Sequence, residues 1–383
     1  MVKETVLRGM AWNHLRGMGP ALAVSEAFRC QQPATMVLWD TRPLGDFEAY
    51  PIEQLARQYD LILFDHPFTG DAAAGPWLLP LDEWIEAPVL DDLSAQAVGQ
   101  SFQSYCWAGH QWGLPVDAAA QVMVSGAEPA HGEADWKALW RWAQNSLGGA
   151  PPLNFALPGS PVHLYSLWLA ICQRLAGDDL WTSLGLRPDI AVPALEILER
   201  LWQAAFAGAR SWDPITLLPW LGEQQGFSPW VFGYVNYSRP GYSAHPVRFA
   251  RIPTTKDNPG VGSVLGGVGI GVSSLSKHRA QSVAFAKYFA SPAVQSTVVL
   301  RAGGQPAVRE VWENPDLGGA FFHDTLPTVR QALLRPRARG YPAFQAQAAQ
   351  TLHQGVTSGR SGKGVVEACN RWYRQQVGEA ENV

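Results

Sequence analysis

The strongest constraint on the fold lies in the first 64 residues. Leu61–Phe64 reads LILF, a continuous apolar run bounded by Asp60 and Asp65. Such a run suits a strand buried on both faces, as in a parallel sheet covered by helices. The residues before it alternate strand and helix signals. Thr5–Leu7 is a short strand ending at Arg8-Gly9. Pro20–Phe28 is a helix, with Ala21, Val24 and Phe28 on one face and Pro20 in the first turn. Thr35–Trp39 is a second strand ending at Asp40, and Pro51–Gln58 is a second helix. The order βαβαβ predicts an open, mostly parallel sheet. Ligands of such sheets bind beyond the carboxyl ends of the strands. Three loops stand there: Trp12-Asn13-His14-Leu15-Arg16, Asp40-Thr41-Arg42 and Asp65-His66-Pro67-Phe68.

A chain of 383 residues is long for one core and comfortable for two. Charged residues are only 16%, while Trp numbers 17. That balance supplies a large core and leaves aromatic surface for a cleft. A net charge of -4 argues against a nucleic-acid partner. No run of 18 apolar residues exists, so no spanning helix is expected. Cys30, Cys106, Cys172 and Cys369 are far apart and form no CxxC. They read as free core thiols, with one disulfide as the alternative. The N-terminus, MVKETVLRGM, has a basic residue but no apolar h-region and does not read as a secretory signal.

The middle of the chain is mainly helical. Helices are expected at Trp136–Ser146, His163–Leu175 and Val192–Phe206. The texture changes at Phe227, where aromatics interleave with polar groups and turn formers through Pro240. Phe249–Pro253 is a short strand leading to a Gly/Pro-rich connection. The run GGVGIG, with Gly266, Gly267, Gly269 and Gly271, is a glycine-dense strand. A helix follows, and a second helix runs from Ser291-Pro292 to Gly303-Gly304, with Gln305-Pro306 directly after. The basic run Arg330–Arg339 reads as a solvated loop or helix end, with docking to a membrane partner as the alternative. The tail after Gly378 is polar.

Catalytic patterns are missing. Nine His are scattered, with no HxxxH or HExxH, so no metal site is expected. GGVGIG lacks the GxGxxG order and forms a strand rather than opening a helix, so no dinucleotide or phosphate cofactor is expected. Asp40, Asp65, Asp82 and Asp117 leave a paired acid/base site open. Asp117 either serves a site or caps a following helix.

Binding patterns are present. A cleft for a hydroxyl-rich solute needs flat apolar faces and fixed polar side chains. Trp12, Phe68, Trp230, Tyr234 and Tyr237 supply the first. Asn13, His14, Arg16, Asp40, Arg42, Asp65, His66, Asp117, Asn236 and Arg239 supply the second. Tyr234 and Tyr237 are three apart, so both reach one site only from a loop or helical turn. Gly267, with Gly266, Gly269 and Gly271, fits a strand that backbone or ligand approaches closely, or a tightly packed core strand.

Several phrases occur in a particular order: LPLDEW (Leu79–Trp84), GHQWGLP (Gly109–Pro115), the aromatic stretch from Phe227, then GGVGIGVS, SPAVQ and GGQPAVR. This order resembles the extracellular solute-binding proteins of ABC importers, carbohydrate type. The resemblance implies α/β architecture with the two-lobe, type II periplasmic-binding-protein fold. Each lobe would be a mostly parallel sheet flanked by helices, with hinge crossovers. Lobe one would comprise residues 1–110 plus 263–307, and lobe two 111–262 plus 308–383. Gln305 falls on a turn similar to the family's last crossover, where a polar side chain can face the cleft. Capture of a small-molecule ligand without chemistry is implied, as are ABC permease and ATPase partners, a periplasmic location and a monomer. The segment after GHQWGLP departs from the family pattern, and the first loop carries His14 and Arg16. A small anionic organic acid, read by Arg16, Arg42, His66 and Arg239, therefore stands as the alternative ligand. A cytoplasmic enzyme or ligand sensor on a related scaffold stands as the alternative class.

Overall fold

The structure, a computed structural model, describes residues 4–45, 50–126, 154–252, 260–360 and 362–377. The chain divides into two compact units. Unit 1 holds Met1–Ala119, Gly266–Gly319 and Arg335–Arg339; unit 2 holds Ala120–Leu265, Ala320–Leu334 and Gly340–Val383. In chain order the described strands are β1 (Thr5–Trp12), β2 (Thr35–Arg42), β3 (Leu61–Phe64), β4 (Cys106–Trp107), β5 (His110–Gln111), β6 (Leu114–Ser125), β7 (Trp181–Thr182), β8 (Gly185–Leu186), β9 (Phe227–Phe232), β10 (Arg248–Ala250) and β11 (Leu265–Val272).

Unit 1 is built on a sheet of order β2-β1-β3-β11. β1 runs parallel to β2 and β3, while β11 pairs antiparallel with β3. The LILF strand is buried at all four positions, as its continuous apolar run requires. Helices cover the sheet, and the Phe28 ring meets Phe285 edge-on at 5.3 Å. Each such fully buried side chain stabilises by roughly 1.5–3 kcal/mol. The strand order reverses between β1 and β3, because β2 lies on one side of β1 and β3 on the other. That makes the β1/β3 crevice the switch point where such sheets take ligands. Gly9 pairs with Leu61 and Met10 with Ile62, which sets the end of β1 level with the end of β3.

The first helix, α1 (Leu15–Gln31), begins five residues before the expected Pro20, which lies inside it. Its cap explains the early start: Arg16 N–H donates to His14 Nδ1 at 3.0 Å. Gly17 also lets the Trp12 ring lie flat on the first turn, where a Cβ would stand 2.6 Å from the ring. Pro20 costs the helix one backbone bond but does not stop it.

Unit 2 differs from the expected parallel sheet. Its described strands are antiparallel throughout, β6 pairing with β9 on one side and β10 on the other. Helices make most of its core. The helix Pro161–Ala176 is buried from His163 to Gln173 and packs against Pro188–Ala204 and Tyr341–Ser358. A helix apolar nearly all round belongs inside a core. Trp168 Nε1 donates to Ala191 O at 3.0 Å there. Trp181 stacks on Tyr373 at 5.5 Å. The expected helix Trp136–Ser146 lies outside the described residues.

The unit boundaries also differ from the expected ones. Residues 111–119 stay in unit 1, because Leu114 and Val116 fill its core and Gln295 Nε2 donates to Pro115 O at 2.9 Å. Residues 308–319 stay there too, with Trp312 Nε1 donating to Pro306 O at 2.7 Å. Residues 263–265 fall in unit 2, where Ser263 Oγ donates to Gln121 O at 2.7 Å. All four cysteines are free thiols: Cys172 and Cys369 are buried, Cys106 is half-buried and Cys30 is exposed. Among the described residues no helix is long and apolar enough to cross a membrane.

Candidate functional site

The switch point of unit 1 gathers the loops after β1 and β3. At the end of β1, Trp12 is buried in the core, and exposed Asn13 donates its backbone N–H to Arg42 O at 2.7 Å. Arg16 turns inward from α1 and forks onto Asp117 of β6, with Nε donating to Oδ2 at 2.8 Å and Nη2 to Oδ1. Both side chains are 5% exposed. Burial raises the Asp117 carboxyl above its ordinary value, even with Arg16 beside it pulling the other way. A void of about 10 Å³ lies next to the pair, room for about one water. Arg16 and Asp117 therefore hold the first turn of α1 to β6. Asp117 caps no following helix, because it lies inside a strand.

The loop after β3 carries a second charged group. Asp65 accepts two bonds from Arg335 Nη2, at 3.2 and 2.8 Å. His66 Nδ1 lies 3.1 Å from Asp65 Oδ1. Burial works against the Asp65 carboxylate, but Arg335 and His66 outweigh it and hold its pKa at about 2. Burial, reinforced by the charges of Arg335 and Arg337, drops His66 to about 4 although Asp65 opposes the shift. His66 is thus a neutral imidazole at neutral pH. Its Nε2 is buried with no hydrogen-bond partner among the described residues. Phe68, three residues after Asp65, is buried in the core.

Arg335 reaches this loop on a five-residue strap, Arg335–Arg339, that belongs to unit 1 although its flanks belong to unit 2. Arg337 Nη1 donates to the carbonyls of Gln103 and Cys106, the latter at 2.9 Å. Gly70 makes room for the strap, since a Cβ there would collide with Arg337 O. The basic run is therefore not simply a solvated loop. Arg335 is 4% exposed and supplies the countercharge of Asp65.

β2 runs through Arg42, so the expected loop Asp40–Arg42 is strand, and this strand end stays outside the group. Asp40 is exposed and pairs with Arg8 at 2.8 Å. Arg42 lies over the Tyr50 ring, 3.6 Å from its centroid. One strand away from the switch point, these residues find surface partners.

Gly267 and Gln305 serve the backbone of unit 1. Gly267 has φ +114, and a Cβ on it would strike Asp117 O, so β11 passes Asp117 only as glycine. Gln305 is fully buried. Its Nε2 donates to Ala118 O at 3.0 Å, while its carbonyl accepts Ala118 N–H at 2.9 Å. The side chain expected to face a cleft instead clips the turn to β6.

Unit 2 gathers rings. Trp230 of β9 is core, with Nε1 donating to Gly262 O at 2.8 Å. Val235–Ser238 is a short 3-10 turn, the geometry that the spacing of Tyr234 and Tyr237 requires. Their rings meet edge-on at 6.3 Å, and Tyr242 continues the series at 5.1 Å from Tyr237. Burial and the neighbouring Tyr242 push the Tyr237 hydroxyl up, so it stays a neutral donor. It donates to Ile215 O at 3.3 Å. Asn236 is buried within the turn, and half-buried Arg239 follows it, its own pKa lowered by burial.

Two groups thus emerge, one in each unit: Asp65 and His66 with Arg335 in unit 1, and Tyr234, Tyr237 and Tyr242 with Arg239 in unit 2. Sequence reasoning missed Arg335 and Tyr242. A signal existed for the first, because Pro336 directly follows Arg335 within a basic run. A residue before proline is confined to extended backbone, which suits a placed side chain. Among the described residues no cluster of His, Cys, Asp or Glu could hold a metal ion.

No protein-family model matches the sequence, and no curated protein matches it. The fold is nevertheless shared with solved structures. The GacH receptor of Streptomyces glaucescens GLA.O, solved unliganded and with acarbose, superposes with TM-score 0.78 at 18% identity, covering 98% of each chain. Maltose-bound MalE3 of T. maritima gives 0.77 at 17% identity, over 96% of this chain and 98% of that one. An ABC transporter solute-binding protein of Agrobacterium radiobacter K84 in complex with ribitol gives 0.77 at 17% identity, over 100% and 99%. The chain therefore has the two-lobe, type II periplasmic-binding-protein fold, α/β with a mixed sheet.

Proposed function

We propose that this protein is the substrate-binding component of an ABC importer, taking a small, neutral, carbohydrate-like solute or polyol. The observation that carries the reading is the near end-to-end superposition on proteins solved with maltose, acarbose and ribitol. Residue chemistry supports it. The Tyr234, Tyr237 and Tyr242 rings offer apolar faces with neutral hydroxyls, and the loop after β3 offers fixed polar atoms. Both patterns suit C–H and O–H surface rather than charge.

Taken unit by unit, the polar and aromatic side chains available to a solute are His14, Asp65 and His66 in unit 1, and Tyr234, Asn236, Tyr237 and Arg239 in unit 2. Asn13, Asp40 and Arg42 would stand at the margin. Trp12, Arg16, Phe68, Asp117, Trp230, Gly267 and Gln305 would support from behind. The anionic reading loses its main cations, because Arg16 is matched by Asp117 and Arg42 lies on Tyr50. The role is capture and release without catalysis, in the periplasm, as a monomer that delivers solute to a permease driven by an ATPase. Calorimetric titration with maltose, ribitol, related sugars and small organic acids tests this. Saturable heat and a raised melting temperature are expected with at least one neutral polyhydroxyl compound. Failure of all of them, or binding of organic acids alone, rejects the reading.

A further inference from the structure

Glycine recurs at every second position of β11, at Gly267, Gly269 and Gly271. Gly269 is what admits Tyr105, since a Cβ there would stand 2.6 Å from its ring. Tyr105 ends a short 3-10 turn, Gln103–Tyr105, and is 2% exposed. Its carbonyl accepts the Trp112 backbone N–H at 2.9 Å, and its ring meets Phe64 edge-on at 5.2 Å. Backbone and ring are thus both held. The β3–β11 ladder closes with Phe64 opposite Gly269. At that end the Tyr105 hydroxyl donates to Phe64 O at 3.2 Å and shares its hydrogen with Gly267 O at 3.4 Å. Burial, and after it the charges of Asp65 and Asp117, push the hydroxyl pKa well above its ordinary value, so it keeps that hydrogen.

Both carbonyls adjoin a carboxylate. The peptide that carries Phe64 O leads directly into Asp65. Gly267 is the residue by which β11 passes Asp117. We infer that Tyr105 is a positioning residue: its hydroxyl fixes Asp65 against Arg335 and so sets the affinity for the solute without touching it. The inference rests on the reading of the chain as a solute-binding protein. Arg335 bonds both oxygens of Asp65 through Nη2, whereas Arg16 forks onto Asp117 with two nitrogens. A one-nitrogen contact orients a carboxylate less firmly than a fork, so the backbone beside Asp65 must be held from elsewhere. Binding groups need placing to within about 0.5 Å by the packing and hydrogen bonds behind them. Without the hydroxyl, two carbonyls lose this donor, and a buried carbonyl so deprived shifts towards another.

The test uses the full chain and Tyr105→Phe, which keeps the ring and removes the hydroxyl. Carboxyl NMR titration should place Asp65 above its wild-type value of about 2, because the carboxylate no longer sits squarely against Arg335. Calorimetry with ribitol and maltose should show about tenfold weaker binding of whichever binds the wild type. Replacing Tyr105 with 4-aminophenylalanine, which restores a donor, should recover both. A lowered melting temperature with Asp65 titration and affinity unchanged makes Tyr105 a packing residue. That result overturns the inference and leaves the proposed function standing. If Tyr105→Phe fails to fold, the wild-type spectrum decides. A hydroxyl hydrogen held by Phe64 O and Gly267 O exchanges slowly and gives its own resonance, and a freely exchanging one overturns the inference. Absence of binding by every sugar and polyol removes the proposed function and the affinity claim with it, while the Asp65 titration still judges the positioning.

Discussion

The end of β2 and the loop after β3 look alike in the sequence. Each sets an Asp directly after an apolar run and a basic side chain within two residues of it. Their fates differ. Asp40 pairs with Arg8 at the surface, where both side chains are more than half exposed. Asp65 faces buried Arg335 and lies 3.1 Å from a buried imidazole. Strand order makes the difference. β3 borders the switch point and β2 does not, so the same residue types become a candidate site in one place and a solvated pair in the other. Composition supplied the parts, and topology decided which of them meet.

The contrast can be broken at graded cost. Removing half of the most enclosed pair should hurt most. Asp117→Ala leaves Arg16 charged inside unit 1 and should cost about 3–5 kcal/mol in urea unfolding. The double change Arg16→Met with Asp117→Leu should recover much of that. A double variant as unstable as the single would mean that the pair stabilises outright.

Acid comes next. Burial has lowered His66 from 6.5 to about 4, so the unfolded chain binds the proton more readily. Stability from this group is complete above pH 6.5 and falls as pH drops towards 4, by up to about 3 kcal/mol. Asp65 has the same sign. Its contribution is complete above its ordinary 3.8 and is lost as pH falls towards 2. Melting temperature against pH should therefore slope between 6.5 and 4, and His66→Phe should flatten that slope. An unchanged slope in the variant would remove His66 from the account.

Arg335→Ala should cost about 2–3 kcal/mol, less than the Asp117 change because Asp65 keeps some contact with water. It should also raise the Asp65 pKa from about 2, read by carboxyl NMR titration. Asp40→Ala should change stability by less than about 0.5 kcal/mol. A cost near that of Arg335→Ala would erase the distinction between the end of β2 and the loop after β3.

Much of unit 1 is legible in the sequence because local signals and tertiary demands agree. LILF reads as a buried strand and is one. The tyrosine spacing asks for a turn, and Val235–Ser238 provides it. Other features depend on partners far along the chain. Arg16 meets Asp117 across 101 residues, and no local pattern marks which arginine faces which carboxylate. The antiparallel sheet of unit 2 escapes for a similar reason, since a strand's own residues carry little about its neighbours' direction. The start of α1 is hidden because a histidine takes the capping role usual for Ser, Thr, Asp or Asn. Gln305 misleads because a polar side chain beside a turn reads as solvent-facing, whereas this one satisfies backbone.

The strap has a consequence for how the protein is made. Asp65 leaves the ribosome 270 residues ahead of Arg335, the cation that neutralises it. Chains usually fold domain by domain as they emerge, the N-terminal part first. Here the N-terminal part must wait with an unmatched acidic group at the end of β3 until most of the chain has been synthesised. Translation order and assembly order are therefore out of step, and the last counterion delivered is the one that completes the first unit begun.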